Sequence, residues 1–228
     1  MKKSTNQQHI NEWVGSNEKR RLDLAILVAV APIIAHFGAL AVLVSLPAFK
    51  QHVFFEHHRV GKDGRTFPVR KIRTMRMDSP TDTPSSGFKD ERATRLGKLL
   101  RFTSIDEIPQ LLSIAKGDMS FTGPRVVMAN DIEAMKTALS RNLFDEWQDV
   151  YFRSVPGGYS SSTISDRVNP ICDSPEERLI RRAHLDIRDY SSSSPSYDLR
   201  LLITGLSVAR IPLINLSHHV PDSLKAGL

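Results

Sequence analysis

The run LAILVAVAPIIAHFGALAVLVSL, Leu24 to Leu46, carries no formal charge. As an α-helix it is about 35 Å long, enough to cross the hydrocarbon core of a bilayer. It is too long and too far from the N-terminus for a secretory signal, and no small-residue cleavage pattern follows it. A helix buried in a soluble core is the alternative, but such a helix rarely lacks a polar face over this length. The run therefore predicts a membrane segment. Lys19, Arg20 and Arg21 precede it, and Lys50, Arg59, Lys62 and Arg65 follow it. Both flanks are basic, whereas a spanning helix shows an asymmetry. Pro32 has no amide hydrogen and is expected to kink or break the helix. Together these features predict a re-entrant helix that enters, bends at Pro32 and returns to the same face. Asp23, at its mouth, is expected to cap the helix or to pair with a neighbouring arginine.

The rest of the 228-residue chain reads as globular, with 40% hydrophobic and 25% charged residues overall. There are 31 Lys and Arg against 25 Asp and Glu, a formal charge of +6. That balance favours polyanions: nucleic acid, anionic lipid headgroups or phosphorylated small molecules. A nucleic-acid partner is not expected, because only 7% of residues are aromatic and the basic stretches lack aromatic interleaving. The single Cys172 excludes an internal disulfide and a cysteine-rich zinc site. His52, His57 and His58 cluster without the carboxylate or cysteine framework of a metal site.

Behind the membrane segment, FFEHHRVGKDGRTFPVRKIRTM places a turn at Gly61–Gly64 and a strand over Phe67–Met75. Its basic character suits lipid headgroups or phosphate. The loop Asp78–Gly87 is rich in Pro, Ser and Thr. RATRLGKLLRF spaces Arg92, Arg95, Lys98 and Arg101 along one side of a helix. Then comes TSIDEIPQLLSIAKGDMSFTGPR, Thr103 to Arg125, with the adjacent carboxylates Asp106 and Glu107 ahead of Pro109. Ser104 and Glu107 have the spacing of a capping box. Equally, acids at the positive end of a helix dipole stay ionised and can act as nucleophile or metal ligand. The residues alone leave both uses open. Arg125, behind a rigid Gly-Pro, is placed to fork onto a phosphate. Val155–Thr163 reads as a loop, Asp131–Tyr151 and Glu176–Tyr190 as helical, and Leu199–Leu216 as an apolar segment against the bilayer.

The order of segments resembles the bacterial sugar transferase family, the small monotopic polyprenyl-phosphate phosphoglycosyl transferases. The resemblance runs from about Lys19 to Ala209, through KRRLDLAI, RVGKDGRTFPVRKIRTM, RATRLGKLLRFTSIDEIPQLLSIAKGDMSFTGPR, VPGG and LDIRDY…YDLRLLITG. It implies a mixed α/β monotopic protein, mostly helical with one short sheet. Its expected parts are an N-terminal tail (1–18), a re-entrant helix (19–48), a cytoplasmic catalytic domain (49–204) and a membrane-associated C-terminal segment (205–228). A larger multi-helix extension is absent, so the chain is expected to be the minimal catalytic unit.

The resemblance further implies catalysis by Asp106 and Glu107 with Mg2+ at the cytoplasmic face of the bacterial inner membrane. Asp106 would attack the β-phosphate of a nucleotide diphosphate sugar, commonly a UDP-sugar, releasing UMP. Polyprenyl (undecaprenyl) phosphate would then take the phosphosugar. Glu107 would help hold the metal. Lys71, Arg73, Arg92, Arg95, Arg101, Arg125 and Asp186 would contact substrate, with Arg125 on the nucleotide. The product would start an exopolysaccharide, O-antigen, capsule or glycoprotein glycan. Membrane lipid, further copies of the chain and downstream glycosyltransferases are the expected partners. Four departures stand out: Ala31-Pro32 for the family's Ser-Pro, Pro124-Arg125-Val126 for Pro-Arg-Pro, Arg188-Asp189 for an aromatic pair, and Pro156–Ile164 without its Thr-Gly and Gln. A non-enzymatic anchored binding protein on the same fold is the alternative.

Overall fold

The computed structural model describes residues 11–79, 91–168 and 174–208. Cys172, most of the Asp78–Gly87 loop and the chain beyond residue 208 lie outside them. The described residues are mostly helical, with two small sheets rather than the one expected.

Helix α1, Asn17–Phe49, opens on Ser16, whose hydroxyl accepts from Lys19 N at 3.0 Å. Its helical backbone continues through both Pro32 and Pro47. The break expected at Pro32 is therefore not an interruption of the helix. A proline removes one ladder bond and crowds one carbonyl, whereas unwinding in an apolar setting would strand several backbone groups. His36 Nδ1 adds a bond to the Pro32 carbonyl at 2.5 Å.

One side of α1 lies along the rest of the protein over its whole length. Lys19, Asp23, Gly38, Ala41, Ser45 and Phe49 are buried. Asp23 neither caps the helix nor pairs with an arginine. It accepts from Ser120 Oγ at 3.0 Å and Phe121 N at 3.1 Å. Lys19 pairs with Asp198 and donates to Thr122 Oγ1, so the helix start is fixed to the fold by buried polar bonds. Further along, a Cβ at Gly38 would come 3.0 Å from Ile108, and Ala41 and Phe49 join a core with Val53, Ile72 and Leu100. The opposite face is large, apolar and bare: Val28 is 73% exposed and Leu43 62%.

Strands β1, Phe54–Val60, and β2, Thr66–Ile72, form an antiparallel hairpin around the expected turn. The chain after β2 pairs once more, Thr94 N with Thr74 O and Arg76 N with Arg92 O. Arg92 thus lies ahead of helix α2, Arg95–Thr103, and not on it. Gly97 sits so tightly on this extension that a Cβ would meet Thr74 O at 2.0 Å. A 3-10 segment, Ile105–Gln110, leads into α3, Leu111–Lys116, and packs on β2 and α1.

Strand β3, Ser120–Thr122, runs parallel to β4, Gly157–Tyr159. Between them the expected single helical stretch is divided into α4, Ala129–Ala138, and α5, Arg141–Arg153. These two and α7, Pro175–Ser192, enclose a core of Met135, Phe144, Trp147, Tyr151 and Ala183. The segment read as a loop forms β4 and then α6, Ser161–Val168. Its first turn is held from a distance: Asp189 accepts from both Ser161 N and Ser161 Oγ at 2.7 Å. Helix α8, Pro195–Val208, closes the fold over β3 and β4.

Candidate active site

Ser104 ends α2 in the left-handed region, at φ 57°. Its side chain caps nothing in the 3-10 segment that follows. The capping-box use of Glu107 is thereby replaced: the Glu107 carboxylate turns to β2, where Lys71 Nζ donates to Oε1 at 2.7 Å. Arg167 Nη2, from α6, stands 3.9 Å from Oε2. Burial alone would raise the Glu107 pKa, but Lys71, Arg167 and Arg125 hold it down at about 2. Asp106 is 7% exposed. Burial, and then the Glu107 charge, push its carboxyl up to about 6 against the pull of Lys71 and Arg101. Two adjacent carboxyls thus have opposite electrostatics, a pattern of sites that do chemistry.

Arg101 Nε is anchored on Thr74 Oγ1 at 2.7 Å, which keeps its charge close enough to act on Asp106. Arg125 leaves the β3 turn and reaches Asp166 at 3.3 Å. That turn depends on Gly123, at φ 159°, where a Cβ would meet Val155 O at 2.4 Å. The charges of Lys71, Arg101 and Arg125 therefore act on the dyad.

Other expected contacts lie elsewhere. Arg73 Nε donates to His52 O at 2.9 Å and its guanidinium lies over Phe55. Arg95 is exposed on the first turn of α2. Arg92 is tied into the strand extension by its carbonyl. Asp186 is 1% exposed, accepting from Trp147 Nε1 at 3.1 Å and Ser162 Oγ at 2.9 Å. Burial raises its carboxyl to about 7. Through Ser162 it supports α6 from within.

Sequence reasoning passed over Arg167, and over Asp166 with its partners Arg181 and Arg182, at 3.5 and 3.4 Å. One signal was available in α7. Arg182, Asp186 and Asp189 recur at i, i+4 and i+7, which puts three charged residues on one face, the face of buried Ala183 and Tyr190. His57 was also passed over as a site residue. Its ring is on β1, diagonal to Lys71 across the hairpin, with both nitrogens buried and without a hydrogen-bond partner among the described residues. Burial, then the charges of Arg59 and Lys71, bring it down to about 4, so it is neutral near pH 7.

Among the described residues, no group of three or more His, Cys, Asp or Glu side chains converges as a metal cage. A pair of adjacent carboxylates does fit magnesium, which commonly takes one or two carboxylates and completes its octahedron with water and phosphate oxygens.

The profile described as bacterial sugar transferase matches residues 14–210. The exopolysaccharide production protein ExoY of Sinorhizobium fredii is 32% identical over 173 residues, covering 68% of this chain and 71% of the relative. A UDP-glucose:undecaprenyl-phosphate glucose-1-phosphate transferase of Caulobacter vibrioides is 41% identical over 112 residues, 47% of this chain and 40% of its own length. An undecaprenyl-phosphate galactose phosphotransferase of Salmonella typhimurium is 33% identical over 135 residues, 50% of this chain and 27% of its own.

Proposed function

Because the chain belongs to the bacterial sugar transferase family, we propose that it moves a phosphosugar from a UDP-sugar to a polyprenyl phosphate at a membrane surface, releasing UMP. The observation that carries the reading is the dyad, with Asp106 buried beside a Glu107 that Lys71 keeps ionised. An Asp106 oxygen attacks the β-phosphorus, and the bond from that phosphorus to the bridging oxygen breaks. UMP departs with the bridging oxygen. A phosphate oxygen of the polyprenyl carrier then attacks the same phosphorus, frees Asp106 and yields a polyprenyl diphosphate sugar. Splitting the transfer lets two substrates of opposite solubility react in turn at one carboxylate. Lys71, Arg101 and Arg167 offset the charge that gathers on the transferring phosphoryl group. Magnesium held by Asp106 and Glu107 with phosphate oxygens would supply further charge neutralisation.

Helix α1 serves this reaction as a monotopic anchor at the cytoplasmic face of the inner membrane. Its two ends are fixed to one domain, through Lys19 and Asp23 at the start and Phe49 at the finish, and its bare apolar face suits lipid. In a Cys172→Ser background, single cysteines at Glu18 and Gln51 are expected to react with an impermeant reagent from the same side. Labelling from opposite sides would make the helix spanning.

The decisive experiment measures UMP release by detergent-purified protein with magnesium, polyprenyl phosphate and a panel of UDP-sugars, beside Asp106→Asn. Release with one donor, lost in the variant, is expected. Equal release by Asp106→Asn would remove the covalent step. No binding of any nucleotide sugar would favour a non-enzymatic anchor.

A further inference from the structure

Tyr159 stands on β4 opposite Thr122. Its carbonyl accepts from Gly123 N at 3.1 Å, so its backbone is fixed to the turn that delivers Arg125. The ring packs against Phe67, Val69, Ile114 and Phe121. Phe67 and Val69 alternate with Lys71 along β2 and share its face, the face whose lysine holds Glu107. Ile114 belongs to α3, which follows directly on the segment that carries the dyad. From the other side α8 contributes Gly205, where a Cβ would fall on the Tyr159 ring. The ring is thus seated between β2, α3 and α8.

Its hydroxyl has no such seat. It makes no hydrogen bond among the described residues, and unlike the ring nitrogens of His57 it is not sealed from solvent. A tyrosine whose ring is packed usually finds a partner for its O–H. The charges that act on this one are those of Arg167 and Glu107, themselves 3.9 Å apart. Burial raises the phenol pKa, with Arg167 opposing and Glu107 adding to the rise, so the proton stays on at neutral pH. A neutral donor without a protein partner therefore stands beside the carboxylate pair, where charge gathers on the oxygens of a phosphoryl group in transfer. Tyr159 falls in the stretch Pro156–Ile164 that departs from the family pattern, and the resemblance gives it no role.

We propose that Tyr159 is a further catalytic residue, whose hydroxyl donates a hydrogen bond to a non-bridging oxygen of the transferring phosphoryl group. The inference rests on the transferase reading above. The phenol forms no covalent bond and gives up no proton. It supplies one donor whose bond strengthens as negative charge builds on that oxygen. The same phosphoryl group is attacked twice, first by Asp106 and then by the polyprenyl phosphate, so the contact serves both steps.

Tyr159→Phe, in the full chain in detergent, removes the hydroxyl and keeps the ring. Two rates are measured: UMP release with a UDP-sugar alone, and transfer from the loaded enzyme to polyprenyl phosphate. UMP binding and the melting temperature are measured beside them. Both rates are expected to fall about 100-fold, with UMP binding and Tm as in the parent. A loss confined to UMP release would put the hydroxyl on the nucleotide. A loss that differs from one UDP-sugar to another would put it on the sugar. Either result overturns the proposal. So does a Tm several degrees lower, which would mean that the hydroxyl is bonded within the protein. The parent and Asp106→Asn are run alongside. Asp106-dependent release with Tyr159→Phe unimpaired would remove this role and leave the transferase reading standing, whereas no release by the parent would remove both.

Discussion

Lys71 Nζ lies 2.7 Å from Glu107 Oε1, while the neighbouring Asp106 is buried with its carboxyl raised to about 6. A carboxyl whose folded pKa lies above its unfolded value binds its proton more tightly in the folded state. The stability it confers is complete below the model-peptide value of 3.8 and is lost as pH rises through about 6. In metal-free protein at pH 8, Asp106→Asn is therefore expected to raise Tm, by an amount equivalent to about 1–3 kcal/mol. At pH 4 the difference should shrink towards zero. A variant that melts lower than the parent at pH 8 would show that the buried carboxylate is already compensated.

Gly97 predicts the opposite of its helix propensity. In an open helix, Gly→Ala stabilises by up to about 1 kcal/mol. At position 97 the new methyl would stand 2.0 Å from Thr74 O, so α2 must lift from the strand extension. Gly97→Ala is expected to cost about 1–3 kcal/mol of stability. The lift would also part Arg101 from Thr74 Oγ1, and a shift of about 1 Å beside the dyad can lower turnover by roughly 10²-fold. Thermal melts and initial rates of UMP release check the two together. Unchanged rates at lowered Tm would show that Arg101 does not depend on this seat.

Asp106, Glu107, Arg101 and Arg125 were singled out because one block, Arg92 to Arg125, resembles a known family, with Lys71 on the preceding strand, whereas the residues alone left the use of the two acids open. The long apolar helix α1 was legible as an uncharged run, but its two faces were not. Its inward stripe includes Lys19, Asp23, Gly38, Ala41 and Ser45, whereas Val28, Ile33, Leu40 and Leu43 point outward. That is the reverse of a soluble helix, in which large apolar residues mark the core side. Helix α6 was hidden for another reason. Ser160 to Ser165 have turn-like composition, and what makes a helix of them is Asp189, 28 residues on from Ser161. Arg181 and Arg182 were passed over because a carboxylate they meet, Asp166, comes from another helix.

Asp189 is expected to be the fastening of that helix. It accepts from Ser161 N, Ser161 Oγ and, at 2.6 Å, Tyr197 OH. Asp189→Ala leaves these donors without their acceptor and should cost about 2–4 kcal/mol. Tyr197→Phe removes a single bond and should cost about 1 kcal/mol. Because α6 delivers Arg167 to Glu107, Asp189→Ala should also slow UMP release in the fraction that stays folded, whereas Tyr197→Phe should leave it near the parent rate. Equal rates in both variants would mean that α6 is held mainly by its packing.

The two faces of α1 make the last prediction. Leu43 points away from the protein, and Ala41, two residues earlier and 4% exposed, is packed among Val53, Ile72 and Leu100. Glutamate at Leu43 meets no protein atoms that it must displace, so the melting temperature in detergent should change little, by less than about 0.5 kcal/mol in equivalent stability. In a bilayer the same carboxylate would lie in hydrocarbon, where an acidic side chain costs up to about 3 kcal/mol, and liposome binding should fall by one to two orders of magnitude. Ala41→Glu reverses the pattern: an unpaired buried charge should cost several kcal/mol and lower Tm first. Flotation with anionic vesicles, run beside melts of both variants, separates the faces. If Leu43→Glu floats as well as the parent, that face does not contact lipid. If it melts as low as Ala41→Glu, the face is covered by protein, as by a second copy of the chain, and the anchor must be sought there.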